Sequence, residues 1–341
     1  MQETPSACPL LFEPILRAKV WGGRRLETRL GKKLPPGALI GESWELADLH
    51  ASVPDGRSVI ANGPWSGRTL RSVIQEHRAH VLGIAAPSSD GGFPLLLKFL
   101  DARESLSVQV HPSPAYAATH HDAHLKTEAW IVVESDPGAR IYKGVRAEVT
   151  PPTFESHIAD GTVADDLNDF VVRPGDCHEL PSGVCHALGA GILVAEVQTP
   201  SDTTFRIYDW DRPDRREMHV EQAMACIEFG EAAQPATPLG PAVVAGGITS
   251  RRLVSNDHFT IERIETASVA TFAIETSGLP RVWMVLSGSG RLEIDHGDAT
   301  PIGRGSTVLI PAALTDATAV LTANTALLDV RVADPLEHMH A

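Results

Sequence analysis

The sequence predicts an all-β chain of two jelly-roll domains with one small helical insertion, and three observations carry that expectation. Short segments such as "LSVQVH" (106–111), "AWIVVES" (129–135) and "ARIYKGV" (139–145) are strand-length and rich in β-formers. The 25 prolines and 28 glycines supply the turns that many short strands need. "RVWMVLSGSGRLEID" (281–295) echoes "EAWIVVESDPGARIY" (128–142), matching Trp283 to Trp130, so the second half repeats the first. At 341 residues the chain suits two domains, expected at 1–240 and 247–341, with Pro/Gly/Ala-rich "GEAAQPATPLGPAVVAGG" between them.

Elements follow in order. "IGESWEL" (40–46) reads as a strand with Glu42, Trp44 and Leu46 on one face. "SGRTLRSVIQEHRAHVLG" (66–83) has helical spacing at Leu70, Val73, Ile74 and His77, with Ser66 as the expected cap. "FPLLLKFLDA" (93–102) is a buried strand carrying one lysine, Lys98. In "LSVQVH" side chains two apart share a face, so Ser107, Gln109 and His111 point together, with Leu106, Val108 and Val110 opposite. A strand greasy on one side and furnished with donor atoms on the other is expected to line a pocket. "SDPG" turns the chain between the next two strands. Residues 150–170 break the β pattern, with Thr153 and Thr162 as expected caps of two short helices parted by Gly161. "RREMHVEQAMACIEF" (215–229) again has helical spacing.

A hydrophobic content of 43% excludes disorder. The formal charge of −14, from 29 basic and 43 acidic residues, repels nucleic acid and anionic membranes, which are poor partners. An anionic substrate would need local Lys or Arg groups to overcome that field. The start, "MQETPSACPLLFEP", lacks a signal-peptide pattern, the longest apolar runs are far short of a membrane span, and four cysteines show no paired framework. A cytoplasmic location is expected; oligomeric state is left open.

"GDCHELPSGVCHALGAG" (175–191) carries the sharpest local signal: Gly175, Pro181, Gly183 and His186. This spacing resembles the second cupin motif, G-x5-P-x-G-x2-H, with Ala190 where the motif ends in Asn. The first cupin motif supplies two histidines two apart and then a glutamate; Gln109, His111 and Glu128 stand in those places. The expected metal ligands are therefore Gln109, His111, Glu128 and His186. An amide, two imidazoles and a carboxylate suit zinc, one per chain, and argue against oxygenase iron. His120, His121 and His124 are expected on the surface, and His178 is expected to play no part in the site.

With "GESWEL", "LLLKFLDA", "QVHP", "KTEAW", "CHALGAG" and "SDTTFRIYDWDR" in order, nearly the whole chain resembles the short bacterial form of the type I phosphomannose isomerases. That resemblance implies a zinc cupin enzyme interconverting mannose 6-phosphate and fructose 6-phosphate. It also implies active-site roles for Trp21, Glu42, Lys98, Lys126, Glu196, Asp202 and Arg206. Of these, Lys98, Lys126, Glu196 and Arg206 are the catalytic candidates, and Trp21, Glu42 and Asp202 the substrate-binding ones. The family's long forms carry a large helical insertion, to which residues 150–170 offer only a stub.

The residue types fit aldose–ketose isomerisation, which moves a proton between carbons 1 and 2 through a cis-enediol. Metal polarisation of the carbonyl and nearby cations would stabilise the enediolate. Lys98 lies between Leu97 and Phe99; it either meets a pocket anion or snorkels out at a strand end. Arg206 shares a strand face with Thr204 and Tyr208 and suits phosphate or enediolate contact, or else a salt bridge to Glu196 or Asp202. Arg206, Lys126, Glu196 and a metal-bound water all remain candidates for the proton transfer. Rival readings are an isomerase of an unphosphorylated or different sugar and a non-catalytic sugar-binding cupin. In the second half Arg281 replaces Glu128 and Asp316 replaces His186, so no metal is expected there.

Overall fold

A computed structural model describes residues 6–120, 122–213, 216–230, 235–295 and 297–333. The fold is all-β, with strands arranged in four sheets. A six-stranded sheet has the order Ile15–Gly23, Ile40–Leu46, Leu96–Ala102, Ile192–Gln198, Glu128–Ser135, Cys177–Leu180. It faces a five-stranded sheet ordered Phe205–Tyr208, Val108–Val110, His186–Leu188, Arg140–Val145, Leu167–Val171. Leu100, Trp130 and Val194 from one sheet meet Ile141 and Leu188 from the other to form the inner core of this first sandwich.

The second sandwich pairs a seven-stranded sheet with a four-stranded one, around Trp283, Val308, Leu292 and Ala319. Its seven-stranded sheet begins with Leu10–Leu11, which pairs with Thr307–Ile310 near the other end of the chain. The start of the 1–240 range thus lies in the second sandwich. So does Val243–Ala245, a strand inside the stretch expected to be linker.

The two largest sheets lie back to back. Phe99, Ile131 and Ala195 share one core with Phe259, Val282 and Val330. This explains why Leu96–Ala102 reads as a continuous apolar run: it is buried on both faces. Leu97 and Phe99 enter the shared core, whereas Leu100 and Ala102 enter the first sandwich. Lys98 lies opposite Glu196 in the register, so these two charges face each other across neighbouring strands.

The helix Leu70–Val81 adds Leu70, Val73 and Ile74 to the shared core. Its cap is Thr69, whose hydroxyl accepts from Ser72 N at 3.2 Å, and not Ser66, which lies beyond a preceding short 3-10 turn. In the insertion, Pro151–Asp160 is capped by Thr150, not Thr153. Pro151 sets the first helical φ, so the cap must precede it. Gly161 ends this helix in the left-handed conformation, as expected, but the Thr162 side chain makes no capping bond to the following 3-10 turn. Phe154 and Val163 from this segment, with Ala223 from the helix Val220–Met224, cover Val108, Val110 and Phe205 on the outer face of the five-stranded sheet. Thr150→Ala should therefore cost about 1 kcal/mol in urea unfolding, whereas Thr153→Ala should cost markedly less. Equal losses would place the helix start elsewhere.

Candidate active site

The strand Val108–Val110 runs directly into His111, and its inner face carries Gln109 and His111. Val108 and Val110 point outward under the helices. Leu106 does not join them: the strand begins two residues later, and Leu106 turns inward to line the same cavity as Ser107. His186 opens the neighbouring strand and pairs with Gln109 in register. Glu128 opens a strand of the facing sheet. Gly183, at φ +93°, makes the bend that delivers His186, in a conformation a side chain would strain.

His111, Glu128 and His186 are each fully buried. One donor atom from each lies within 4.8 Å of the others, the one such group among the described residues. His186 Nε2 is 3.3 Å from Glu128 Oε1, and His111 Nε2 is 3.5 Å from Glu128 Oε2. The Gln109 amide approaches His186 Nε2 at 3.3 Å. Turning that amide by half a rotation would present its oxygen instead.

Both imidazoles are set in the tautomer a metal needs. His111 Nδ1 donates to the Thr203 carbonyl at 3.0 Å, and His186 Nδ1 to the Val184 carbonyl at 2.8 Å. The Nε2 lone pairs therefore face the site. Burial, helped by the nearby Lys126 cation, pulls the His111 pKa down to about 3 and keeps the ring neutral. Burial opposes ionisation of Glu128, but Lys126 and the two histidines outweigh it and hold the carboxyl well below its usual range. Both its oxygens are buried; Oε2 meets the Lys126 cation, and Oε1 has no hydrogen bond. Two imidazoles, an ionised acid with one oxygen free of hydrogen bonds and an adjacent amide fit a divalent cation.

Lys126 stands behind Glu128, its Nζ 2.9 Å from Glu128 Oε2, 3.1 Å from His111 Nε2 and 3.9 Å from Glu196 Oε1. Lys98, only 6% exposed, does not snorkel: its Nζ donates to Gln198 Oε1 at 2.6 Å and lies 3.4 Å from Glu196. Gln198 is fixed in turn by the Thr199 and Ser201 carbonyls. Burial pushes the Glu196 carboxyl up to about 8, with Lys98 only partly offsetting it.

A cavity of about 260 Å³ opens beside this cluster. Its lining includes Trp21, Glu42, Lys98, Lys126, Glu196, Asp202 and Arg206, together with Gln109 of the donor set. Every residue expected at the substrate thus meets in one space. Glu42 accepts from Trp44 Nε1 at 2.6 Å and pairs with Lys19 at 3.0 Å. Glu196 pairs with the two lysines rather than with Arg206, whose Nη1 instead donates to the Glu217 carbonyl at 2.7 Å.

Sequence reasoning missed Lys19 and Arg216, which also line the cavity. Lys19 is two residues before Trp21 in a strand, and that spacing was a usable signal. Arg216 falls in the stretch expected to be helical, but the helix spans only Val220–Met224 and residues 216–219 are irregular, so helical spacing gave no sign that Arg216 reaches the cavity. His120 is exposed and stacks on Tyr116, and His124 is exposed on a separate groove. His121 lies outside the described residues. His178 is buried and absent from the cavity lining.

The corresponding place in the second sandwich holds an ion cluster. Asp329 pairs with Trp283 in register as Glu196 does with Trp130. Fully buried, it accepts from Arg281 Nε at 3.0 Å, Trp283 Nε1 at 2.9 Å and Arg331 Nε at 3.1 Å. Asp316, the counterpart of His186, is exposed.

Residues 10–129 match the family model for the phosphomannose isomerase type I catalytic domain. A mannose-6-phosphate isomerase of Streptococcus mutans is 36% identical over 84% of this chain and 87% of its own length. The chain belongs to the type I phosphomannose isomerase family. This is a family of enzymes, and the all-β cupin fold agrees with it. The crystal structure of the mannose 6-phosphate isomerase of Bacillus subtilis superposes with a TM-score of 0.84 at 30% identity, covering 95% of this chain and 99% of that one. A mannose 6-phosphate isomerase bound with zinc and yttrium shares the fold, with a TM-score of 0.68 at 17% identity over 95% of this chain and 99% of that one.

Proposed function

We propose that this chain interconverts mannose 6-phosphate and fructose 6-phosphate through a cis-enediol, with one zinc ion held by Gln109, His111, Glu128 and His186. The observation that carries the reading is the convergence of two imidazoles and a buried carboxylate beside a cavity lined by lysine and arginine. Zinc, when bound, would act as a Lewis acid toward the sugar carbonyl and relieve the charge that develops on the enediolate. Lys126 keeps Glu128 ionised and holds the base of the cavity. Glu196 sits 3.4 Å from Lys98 and 3.9 Å from Lys126 and lines the cavity with its carboxyl pushed up by burial, which suits it to act as the acid–base group. Arg206 is the guanidinium nearest the donor set along the five-stranded sheet, opposite Gln109 in register, where it can steady enediolate oxygens. Trp21, Glu42 and Asp202 would orient the remaining hydroxyls. We assign catalysis and metal to the first sandwich and a supporting, metal-free role to the second.

A coupled isomerase assay on mannose 6-phosphate tests this reading, run with and without a chelator and with mannose as the comparison sugar. Chelation should reduce turnover by about 100-fold or more, and zinc alone should restore it. Full activity in the metal-free protein would refute the assignment. Arg206→Ala should keep one zinc per chain and still lose on the order of 100-fold in kcat. Two zinc ions per chain would contradict a metal-free second sandwich.

A further inference from the structure

Three of the cations around the cavity are already answered by carboxylates: Lys19 by Glu42 at 3.0 Å, Lys98 by Glu196 at 3.4 Å and Lys126 by Glu128 at 2.9 Å. The balance differs at the rim beside the strand Phe205–Tyr208. There Arg206, Arg212 and Arg216 gather around one carboxylate, Asp209, which is 9% exposed. Arg216 grips Asp209 along one edge of its guanidinium, Nε to Oδ2 at 2.7 Å and Nη2 to Oδ1. Arg212 Nη1 donates to the same Oδ1. Arg212 is also 3.8 Å from the half-exposed Glu104. Arg206 Nε is buried with no hydrogen-bond partner. Burial, then the neighbouring Arg216 charge, lowers the Arg206 pKa, and Asp209 and Glu217 offset this only in part.

Position adds a second argument. The segment carrying Arg216 runs on from the rim alongside Arg206: His219 N donates to the Arg206 carbonyl at 2.8 Å, and the Glu217 carbonyl accepts from the Arg206 side chain. Arg206 itself lies opposite Gln109. Neighbouring chain segments are about 4.8 Å apart, which puts this segment roughly 10 Å from the Gln109 strand. An extended open-chain hexose phosphate with its carbonyl end at the donor set reaches about 9 Å to phosphorus, given C–C bonds of about 1.5 Å.

We propose that Arg216, held in place by Asp209, is the phosphate-selecting residue of this cavity and receives the 6-phosphate. The proposal rests on the isomerase reading for its substrate, but the anion site can be measured without turnover. Arg216→Ala removes the fork, and Arg216→Gln keeps one bond to Asp209 while removing the charge. In both, the preference for mannose 6-phosphate over mannose, taken as the ratio of kcat/KM values, should fall by about 30-fold, mostly through KM. Competitive inhibition by inorganic phosphate should weaken by a similar factor. An equal fall on both sugars, or unaltered phosphate inhibition, overturns the proposal. Should the wild-type protein fail to turn over mannose 6-phosphate, the isomerase reading falls by itself. Calorimetric binding of inorganic phosphate then decides the subsite: binding lost in both variants upholds it, and equal binding in wild type and variants overturns it.

Discussion

His186→Ala should leave a folded protein that holds no stoichiometric zinc and turns over mannose 6-phosphate on the order of 1,000-fold more slowly than wild type. The ring contributes one of the two imidazole donors of the one such group among the described residues, and its Nε2 is aimed by the Val184 carbonyl. Its loss also leaves Glu128 with a buried charge balanced mainly by Lys126. Metal analysis and the coupled assay should fail together. A variant that loses turnover but retains tight zinc would remove His186 from the ligand set while leaving the cavity intact. A variant that is fully active without metal would end the zinc reading.

Asp329→Ala should be the most damaging single change to the second sandwich, costing about 3–5 kcal/mol and leaving catalytic chemistry untouched in whatever fraction stays folded. Asp329 is fully buried and receives bonds from Arg281, Trp283 and Arg331. Truncating it leaves Arg281 Nε and the Trp283 indole N–H without an acceptor in the core, and Arg281 keeps only the Glu275 carbonyl. Burial works against the ionised carboxyl, but Arg281 and then Arg331 outweigh it and hold its pKa below the usual value. The contribution is therefore complete above the unfolded carboxylate value of about 4, and is lost as pH falls through the lower folded value. Thermal unfolding at neutral pH measures the effect, and a loss under 1 kcal/mol would show that the cluster adds nothing to stability.

Much of the candidate site was legible because local backbone geometry orders it. Strand alternation alone put Gln109 and His111 on one face, and the turn chemistry from Gly175 to Gly183 pointed to His186. Lys126 and Glu128, two apart, end within 2.9 Å of each other. Where regular spacing stopped, so did the reading. Leu106 lies outside the strand that was expected to orient it, and Arg216 lies ahead of a helix that is shorter than its spacing suggested, Val220–Met224. Both helix caps lay at a threonine other than the serine or threonine expected, because the prolines and short turns nearby shift the first helical residue.

By itself the sequence determined the all-β architecture, the repeat, the shared strand face of Gln109 and His111 and the family, since each depends on residue type and spacing along a few strands. Only the tertiary structure decided that the largest sheets share a core, that the N-terminal strand crosses to the second sandwich, and that Arg216 reaches the cavity rim. Those outcomes depend on contacts between segments far apart in the chain, where burial of apolar faces and pairing of isolated charges select the neighbour and no local periodicity records the choice.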